Sequence, residues 1–376
     1  MNPTRPLVIH ELLPSEIMGV LFEEHAKLEW RAPAIDGRVC RIWRQIVFNT
    51  PRAWMYLEIS DDRRPVIREL QEWLDRSGSA PLYIRVDRKF SGNPHPYQLY
   101  NLISSYHTRI ASLRLPPDCP AFFDERDFPC LRLLDISHAY STHDILRPLR
   151  WDSMPELRSL RIEAPYNFPL QWSELTQLEV LALYSVRITS LLQYSQSLTT
   201  LMLTDVSFRD VTPSPMAFPS LTYLSMYEGS RFKPYISVPR LVTFHEGGGI
   251  PFEPFSSPIP SLVEYWADHP AFDEETPAIL HHYFPNLLKL SVRTRSHYLI
   301  PFLQSLSGDP QSLPALQMIT LGESNAPFTE EEKAIMKGFV QVRGEACQMD
   351  VMLDFGMELS FQTPHFFRMV RDYLSK

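Results

Sequence analysis

A nine-residue spelling, apolar-Pro-x-Leu-x-x-apolar-x-apolar, returns seven times in this chain. It reads FPCLRLLDI (128–136), MPELRSLRI (154–162), FPSLTYLSM (218–226), VPRLVTFHE (238–246), IPSLVEYWA (259–267), FPNLLKLSV (284–292) and LPALQMITL (313–321). Three more segments, IASLRL (110–115), LEVLAL (178–183) and LTTLML (198–203), keep the tail without the proline. The ten anchor positions, 110, 131, 157, 178, 198, 221, 241, 262, 287 and 316, follow one another at intervals of 20 to 29 residues. Each unit has three core positions, thirty in all, and only Glu246 among them is polar; the overall apolar share of 44% would make about thirteen apolar. Within each tail apolar and other residues alternate, as along a strand with one buried side. One such unit cannot cover its own apolar side, so the spacing predicts units stacked into a parallel sheet with a continuous core.

Proline supports the same reading. The chain has 34 prolines in 376 residues, about 9% against a usual level of about 5%, and many stand two residues before an anchor. There proline is expected to end the preceding segment and favour an extended approach to the strand. The period and the LxxLxL core resemble the leucine-rich repeat family. The resemblance implies an α/β solenoid with a parallel sheet. The family's usual Asn or Cys eight residues after the anchor is missing, since those places hold Asp118, Ala139, Pro165, Val186, Val206, Gly229, Gly249, Pro270, Arg295 and Ser324. An irregular solenoid is therefore expected, against the alternative of a mixed α/β protein whose leucine-rich strands do not stack.

The flanks read as further elements. PVIRELQEWLDRSG (65–78) predicts a helix with Ile67, Leu70 and Leu74 on one stripe and an end at Gly78. YLEI (56–59) and PLYIRV (81–86) read as strands. After the repeats, Thr329 and Glu332 make a capping box, CQMDVMLDF (347–355) suggests a strand, and Thr363-Pro364 opens a last helix. The expected organisation is a helical motif over 10–57, a repeat solenoid over 58–325 and a C-terminal α/β cap over 326–376.

At the N-terminus, ELLPSEIMGVLFEEHAK (11–27) predicts a helix beginning at Pro14, with Ile17, Val20 and Leu21 on one side. LEWRAPAIDG (28–37) reads as a polar connection. Val39, Trp43, Ile46 and Val47 then fall at i, i+4, i+7 and i+8, one face of a second helix with Arg38, Arg41, Arg44 and Gln45 opposite. The order Leu-Pro-x-Glu-Ile, a gap, Val-Cys-x-x-Trp-Arg and a later Trp resembles the F-box over about residues 10 to 57. Leu13, Pro14, Ile17, Val39, Cys40, Trp43, Arg44 and Trp54 stand in family positions. The connection departs from the family by offering only Ile35 as a large apolar group and by placing Gly37 before the second helix.

The resemblance implies docking on a Skp-type adaptor and, through it, on a cullin ubiquitin ligase. Carried over, Leu13, Pro14, Ile17, Val39, Cys40, Trp43 and Trp54 are the expected adaptor-binding residues. The competing expectation is that the helices only cap the open end of the first strand.

Residues two, four and six places after each anchor are expected on the sheet face opposite the leucines. Arg161, Tyr184, Tyr223, Tyr227, His245, Trp266, Lys289 and Arg293 are the candidate substrate-binding residues there, because aromatic and arginine side chains dominate interface energetics. Their expected partner is a protein; the alternative is that they are covered as ordinary core.

Chemistry is poorly motivated. No GxSxG, HExxH, phosphate loop or dinucleotide glycine pattern occurs in strand–helix context. HEGGGIPF (245–252) lacks the Lys-Ser/Thr of a phosphate loop and reads as a turn. His281 and His282, adjacent on a helix, diverge by about 100° and cannot readily share a metal. The acidic runs FDEET (272–276) and TEEEK (329–333) read as helix starts and solvated surface. The four cysteines are scattered, so neither a disulfide framework nor a zinc site is expected.

The formal charge of −8 disfavours a nucleic-acid partner. No stretch of about 18 apolar residues predicts a membrane span. The sequence therefore leads to a non-enzymatic protein without cofactor or metal, placed in the cytoplasm, the nucleus or both. It reads as the substrate-recognition subunit of a Skp–cullin–F-box ubiquitin ligase or, alternatively, as a repeat scaffold without a ligase. A hydrolase is a third, weakly motivated reading.

Overall fold

The computed structural model describes residues 13–59, 67–86, 96–115, 122, 126–136, 151–163, 177–184, 187–188, 196–205, 207–208, 215–227, 230–248, 254–268, 270, 272–294, 296–309, 311–323, 329–343 and 348–352. The chain divides into two compact units, Met1–Pro165 with Pro169–Leu175, and Tyr166–Phe168 with Thr176–Lys376. Both are α/β, and in both parallel strands stack in chain order, as the repeat spacing requires.

In the first unit the strands are β1 (Tyr56–Ile59), β2 (Leu82–Val86), β3 (Ile110–Leu115), β4 (Leu133–Ile136) and β5 (Ser159–Glu163). Each pairs in parallel with the next. The second unit holds β6 (Val180–Tyr184), β7 (Arg187–Ile188), β8 (Thr200–Thr204), β9 (Ser207–Phe208), β10 (Met216–Ala217), β11 (Tyr223–Tyr227), β12 (Ile236–Ser237), β13 (Thr243–Gly247), β14 (Glu264–Asp268), β15 (Lys289–Thr294), β16 (Met318–Glu323) and β17 (Gln348–Met352). Its main sheet runs β6-β8-β11-β13-β14-β15-β16-β17, all parallel, while β7–β9 and β10–β12 form two short parallel pairs.

All ten anchors lie in the core at 3% exposure or less. The proline before them has a more specific role than ending a segment. In each of the seven full repeats the anchor N–H donates to the carbonyl of the apolar residue three places earlier, at 3.1 Å in six and 3.3 Å at Leu221. The segment apolar-Pro-x-Leu is thus a β-turn with proline at its second position, where the fixed φ of the ring is already correct. The apolar residue opening the turn (Phe128, Met154, Phe218, Val238, Ile259, Phe284 and Leu313) is buried every time.

Successive repeats are laced in both directions. The N–H of Phe128 donates forward to Ser153 (2.7 Å), that of Phe218 to Ser237 (2.8 Å) and that of Ile259 to Tyr283 (2.7 Å). Side chains beside the anchors donate backward: Ser197 Oγ to the Leu178 carbonyl (2.6 Å), Ser261 Oγ to Leu241 (2.8 Å), Thr222 Oγ1 to Thr199 (3.1 Å) and Asn286 Nδ2 to Pro260 (2.9 Å). The asparagine position of the leucine-rich pattern being unfilled, these side chains next to the anchors supply the lacing: Ser197, Ser261 and Asn286 from just before an anchor and Thr222 from just after.

Glu246, the exception in the pattern, lies on the leucine side of β13. It is satisfied there by the fully buried Lys233 ammonium and by the Tyr265 hydroxyl, which donates to Oε2 at 2.8 Å. Burial, and then the adjacent Glu246, hold the Tyr265 hydroxyl well above its ordinary range. The Phe244 and Tyr265 rings stack beneath it, 5.4 Å apart.

Helices flank the strands. α1 (Ser15–Leu28), α2 (Ala32–Val39) and α3 (Arg41–Phe48) precede β1; α4 (Ile67–Arg76) and α5 (Pro96–Ser104) lie between the early strands; α6 (Thr276–Tyr283), α7 (Ser296–Gly308) and α8 (Glu330–Arg343) accompany the late ones. The expected helix over 65–78 is α4, and Gly78, at φ +56°, takes the left-handed conformation that ends it. Arg343 fixes α8 by donating to the carbonyls of Leu306 (3.2 Å) and Ser312 (2.5 Å). The expected strand near 347–355 is β17, whereas the helix expected from Thr363 lies outside the described residues.

Candidate functional site

Two surfaces gather the candidate residues. The first is the helical segment before β1. Pro14 precedes α1 in extended conformation, so the helix begins at Ser15. α1 buries Met18, Phe22 and Ala26, with Gly19, on one side. Its other side carries Ile17, Val20, Leu21 and Leu28, between 45% and 72% exposed. An ordinary surface helix has one apolar stripe; this one has two, and only one is covered.

The sequence misplaces the next helix. The connection APAIDG is itself helical, as α2, with Pro33 in its first turn where proline costs no hydrogen bond. Cys40 is extended and separates α2 from α3, and its sulfur accepts from the Trp43 N–H at 3.4 Å. Arg44 Nε donates to the Gly37 carbonyl (2.8 Å), closing the end of α2. Val39 therefore shares no helix with Trp43, Ile46 and Val47. Val39 is 59% exposed, whereas Val47 is fully buried. His25 Nδ1, 3.1 Å from the buried Asp36 carboxylate, ties α1 to α2.

Of the residues expected at an adaptor, Ile17, Val39 and Pro14 are exposed and Leu13 is half-buried. Trp43 is half-buried because its ring packs on Phe22 at 5.3 Å. Cys40 is a helix cap. Trp54 is a correction: it is 1% exposed, its Nε1 donates to the Val47 carbonyl (2.8 Å), and it packs on Phe48 and Trp73 with the Arg76 guanidinium over its ring. Trp30 also packs on Trp73, the two rings tilted by 57° with centroids 5.2 Å apart. This indole cluster joins the helices to α4 and β1.

The sequence missed Val20, Leu21, Leu28, Ile35, Ile42 and Phe48 as exposed apolar groups. With Ile17 and Val39 they make eight of the twelve exposed large apolar side chains among the described residues, all within 32 positions. The same segment exposes Arg31, Arg38, Arg41, Arg44 and Arg52 together with Glu16, Glu24 and Glu29. The surface is apolar with charges of both signs, its arginines on and beside α2 and α3 and its glutamates on and beside α1.

The second surface is the sheet face opposite the leucines, and its chemistry differs between the units. In the first unit Arg114 and Arg161 flank the fully buried Asp135 at 3.5 and 3.9 Å, and Arg161 also reaches Glu163 at 3.9 Å. Arg161, expected to bind substrate, is 2% exposed and belongs to this internal ion row, so that expectation is corrected. Tyr184, on β6, is also buried at 7%.

In the second unit the registers Ser225–His245–Trp266 and Tyr227–Gly247–Asp268 run across β11, β13 and β14. Tyr223, His245 and Trp266 form a strip of rings with centroids 5.0 and 5.3 Å apart. His245 is buried, while Tyr223, Tyr227 and Trp266 are half-buried, with part of each ring at the surface.

Desolvation, and then the nearby Tyr184, hold the Tyr223 hydroxyl above its usual range. It therefore stays protonated, and it shares a hydrogen bond of 3.1 Å with His245 Nδ1 whose donor is set by the imidazole tautomer. Tyr227 lies across Gly247, where a Cβ would come within 2.3 Å of the ring. On β15 Lys289 is exposed and Arg293 sits 3.8 Å from Asp268. Among the described residues no group of three or more His, Cys, Asp or Glu side chains could hold a metal. No helix there is long and apolar enough to cross a membrane. Comparison with protein-family models gives no match, and comparison with curated proteins gives none either.

Proposed function

We propose that this chain is the non-catalytic substrate receptor of a Skp–cullin–F-box ubiquitin ligase. Its F-box-like helices α1 to α3 dock a Skp-type adaptor, and its leucine-rich repeats present Tyr223, Tyr227, His245, Trp266, Lys289 and Arg293 to a protein substrate. The observation that carries the reading is the crowding of exposed apolar side chains onto three short helices. A patch of this kind on a protein without a partner is an aggregation liability. The exposed arginines on and beside α2 and α3 offer ion pairs to carboxylates of a partner, and the glutamates of α1 offer them to its cations. A receptor of this type makes and breaks no bond. It raises the local concentration of its cargo beside the ligase, an effective-molarity effect.

The test is co-elution of the full chain with a purified Skp-type adaptor on size-exclusion chromatography. Ile17→Asp combined with Val39→Asp changes two exposed positions, so the far-ultraviolet circular dichroism should be retained while co-elution is lost. An adaptor complex that survives both substitutions overturns the docking surface.

A further inference from the structure

We infer that the ring strip on β11, β13 and β14 recognises a basic side chain, arginine in preference to lysine, carried by an otherwise apolar segment of the partner protein. This rests on the reading that the opposite face of the second unit holds a protein substrate, and it names the chemistry of that substrate.

Glu264 carries the argument. It lies on β14, on the same face as Trp266 two residues later, and is half-buried. Asp268, two residues beyond Trp266, is engaged by Arg293. Among the described residues no ion pair holds Glu264. Its charge contributes to holding the Tyr223 hydroxyl protonated, which places the carboxylate within electrostatic reach of the strip. A partly desolvated carboxylate beside aromatic rings is the arrangement that receives a cation. The ring face attracts it, and the carboxylate supplies a charge-assisted hydrogen bond. Arginine suits both, because its planar guanidinium stacks on an indole while its fork meets a carboxylate.

The partly exposed rings of Tyr223, Tyr227 and Trp266 offer apolar contact to the residues flanking that base. The strip is also assembled in advance. His245 is locked by Tyr223 and Trp266, and Tyr227 is seated on Gly247, so little side-chain entropy remains to be lost on binding. The opposing influence is Lys289, which faces Glu264 in register on β15 but is exposed and extends into solvent.

Selection of random dodecamer peptides displayed on phage by the full chain tests this directly. The wild-type protein should enrich peptides with arginine next to apolar residues. Glu264→Arg should turn the enrichment toward aspartate and glutamate. For one enriched synthetic peptide followed by fluorescence polarisation, Glu264→Gln should weaken binding about tenfold and Lys289→Ala should strengthen it a few-fold.

If wild type and Glu264→Arg select the same peptides, and Trp266→Ala abolishes that selection, the preference for a base is overturned while the face remains a docking surface. If no selection by any variant depends on Trp266, both the preference and the use of this face for substrate fall.

Discussion

Leu21 and Leu262 are the same residue type, each placed by a regular apolar spacing, yet one is 45% exposed and the other fully buried. The difference lies in the neighbours. Leu262 is covered because repeats precede and follow it, and each brings an equivalent leucine to the same level. The outer stripe of α1 has no second element packed over it among the described residues. Periodic apolar residues thus specify a surface that requires covering; whether it is covered within the chain depends on the tertiary arrangement. In the repeats the need is met internally, whereas on the N-terminal helices it is left unmet among the described residues.

The sharpest way to break this contrast is to truncate both leucines. Leu262→Ala should destabilise the chain by about 2–5 kcal/mol, the range for a buried leucine that leaves a cavity, read as a lower urea midpoint. A smaller but more diagnostic effect is expected at the Glu246 exception. Lys233→Met leaves the Glu246 carboxylate buried without its cation and should cost about 3 kcal/mol. Adding Glu246→Leu, which restores the residue type the repeat spells elsewhere, should recover most of that loss. A double variant no more stable than the single one would mean that the cluster fixes the geometry of β13. The smallest effect belongs to the helices: Leu21→Ser should shift stability by less than about 0.5 kcal/mol. If it unfolds the protein instead, the outer stripe of α1 is core, and the contrast with the repeats disappears.

Much of the sheet could be read from the sequence because the repeat is self-consistent. The anchor spacing located the strands, and the alternation assigned their faces correctly even at Glu246, whose polar character is compensated by Lys233, 13 residues earlier, between two anchors and invisible to a periodic pattern. The proline turn was visible as a spelling, but its hydrogen bond was not, since an extended approach and a β-turn share the same proline preference.

The N-terminal helices were less legible. A spacing of i, i+4, i+7 fits one helix through Val39 and Trp43, and nothing in that count announces that Cys40 would be extended and cap a new one. Trp54 was misassigned for a related reason: large amphipathic rings suit both an interface and a core, and only the positions of Phe48, Trp73 and Arg76 decide between them. The ring strip was recoverable because side chains two, four and six places past an anchor must share a face. The ion row around Asp135 was not, since matching charges on adjacent strands depends on register.

The backward-reaching hydroxyls have an evolutionary consequence. Each of these donors finds its acceptor in the coil immediately before it. A coil that brings both a donor for the coil before it and an acceptor for the coil after it can be duplicated or excised whole with the pairing kept in step. A chain laced this way can change length by recombination while the linkers between coils drift freely.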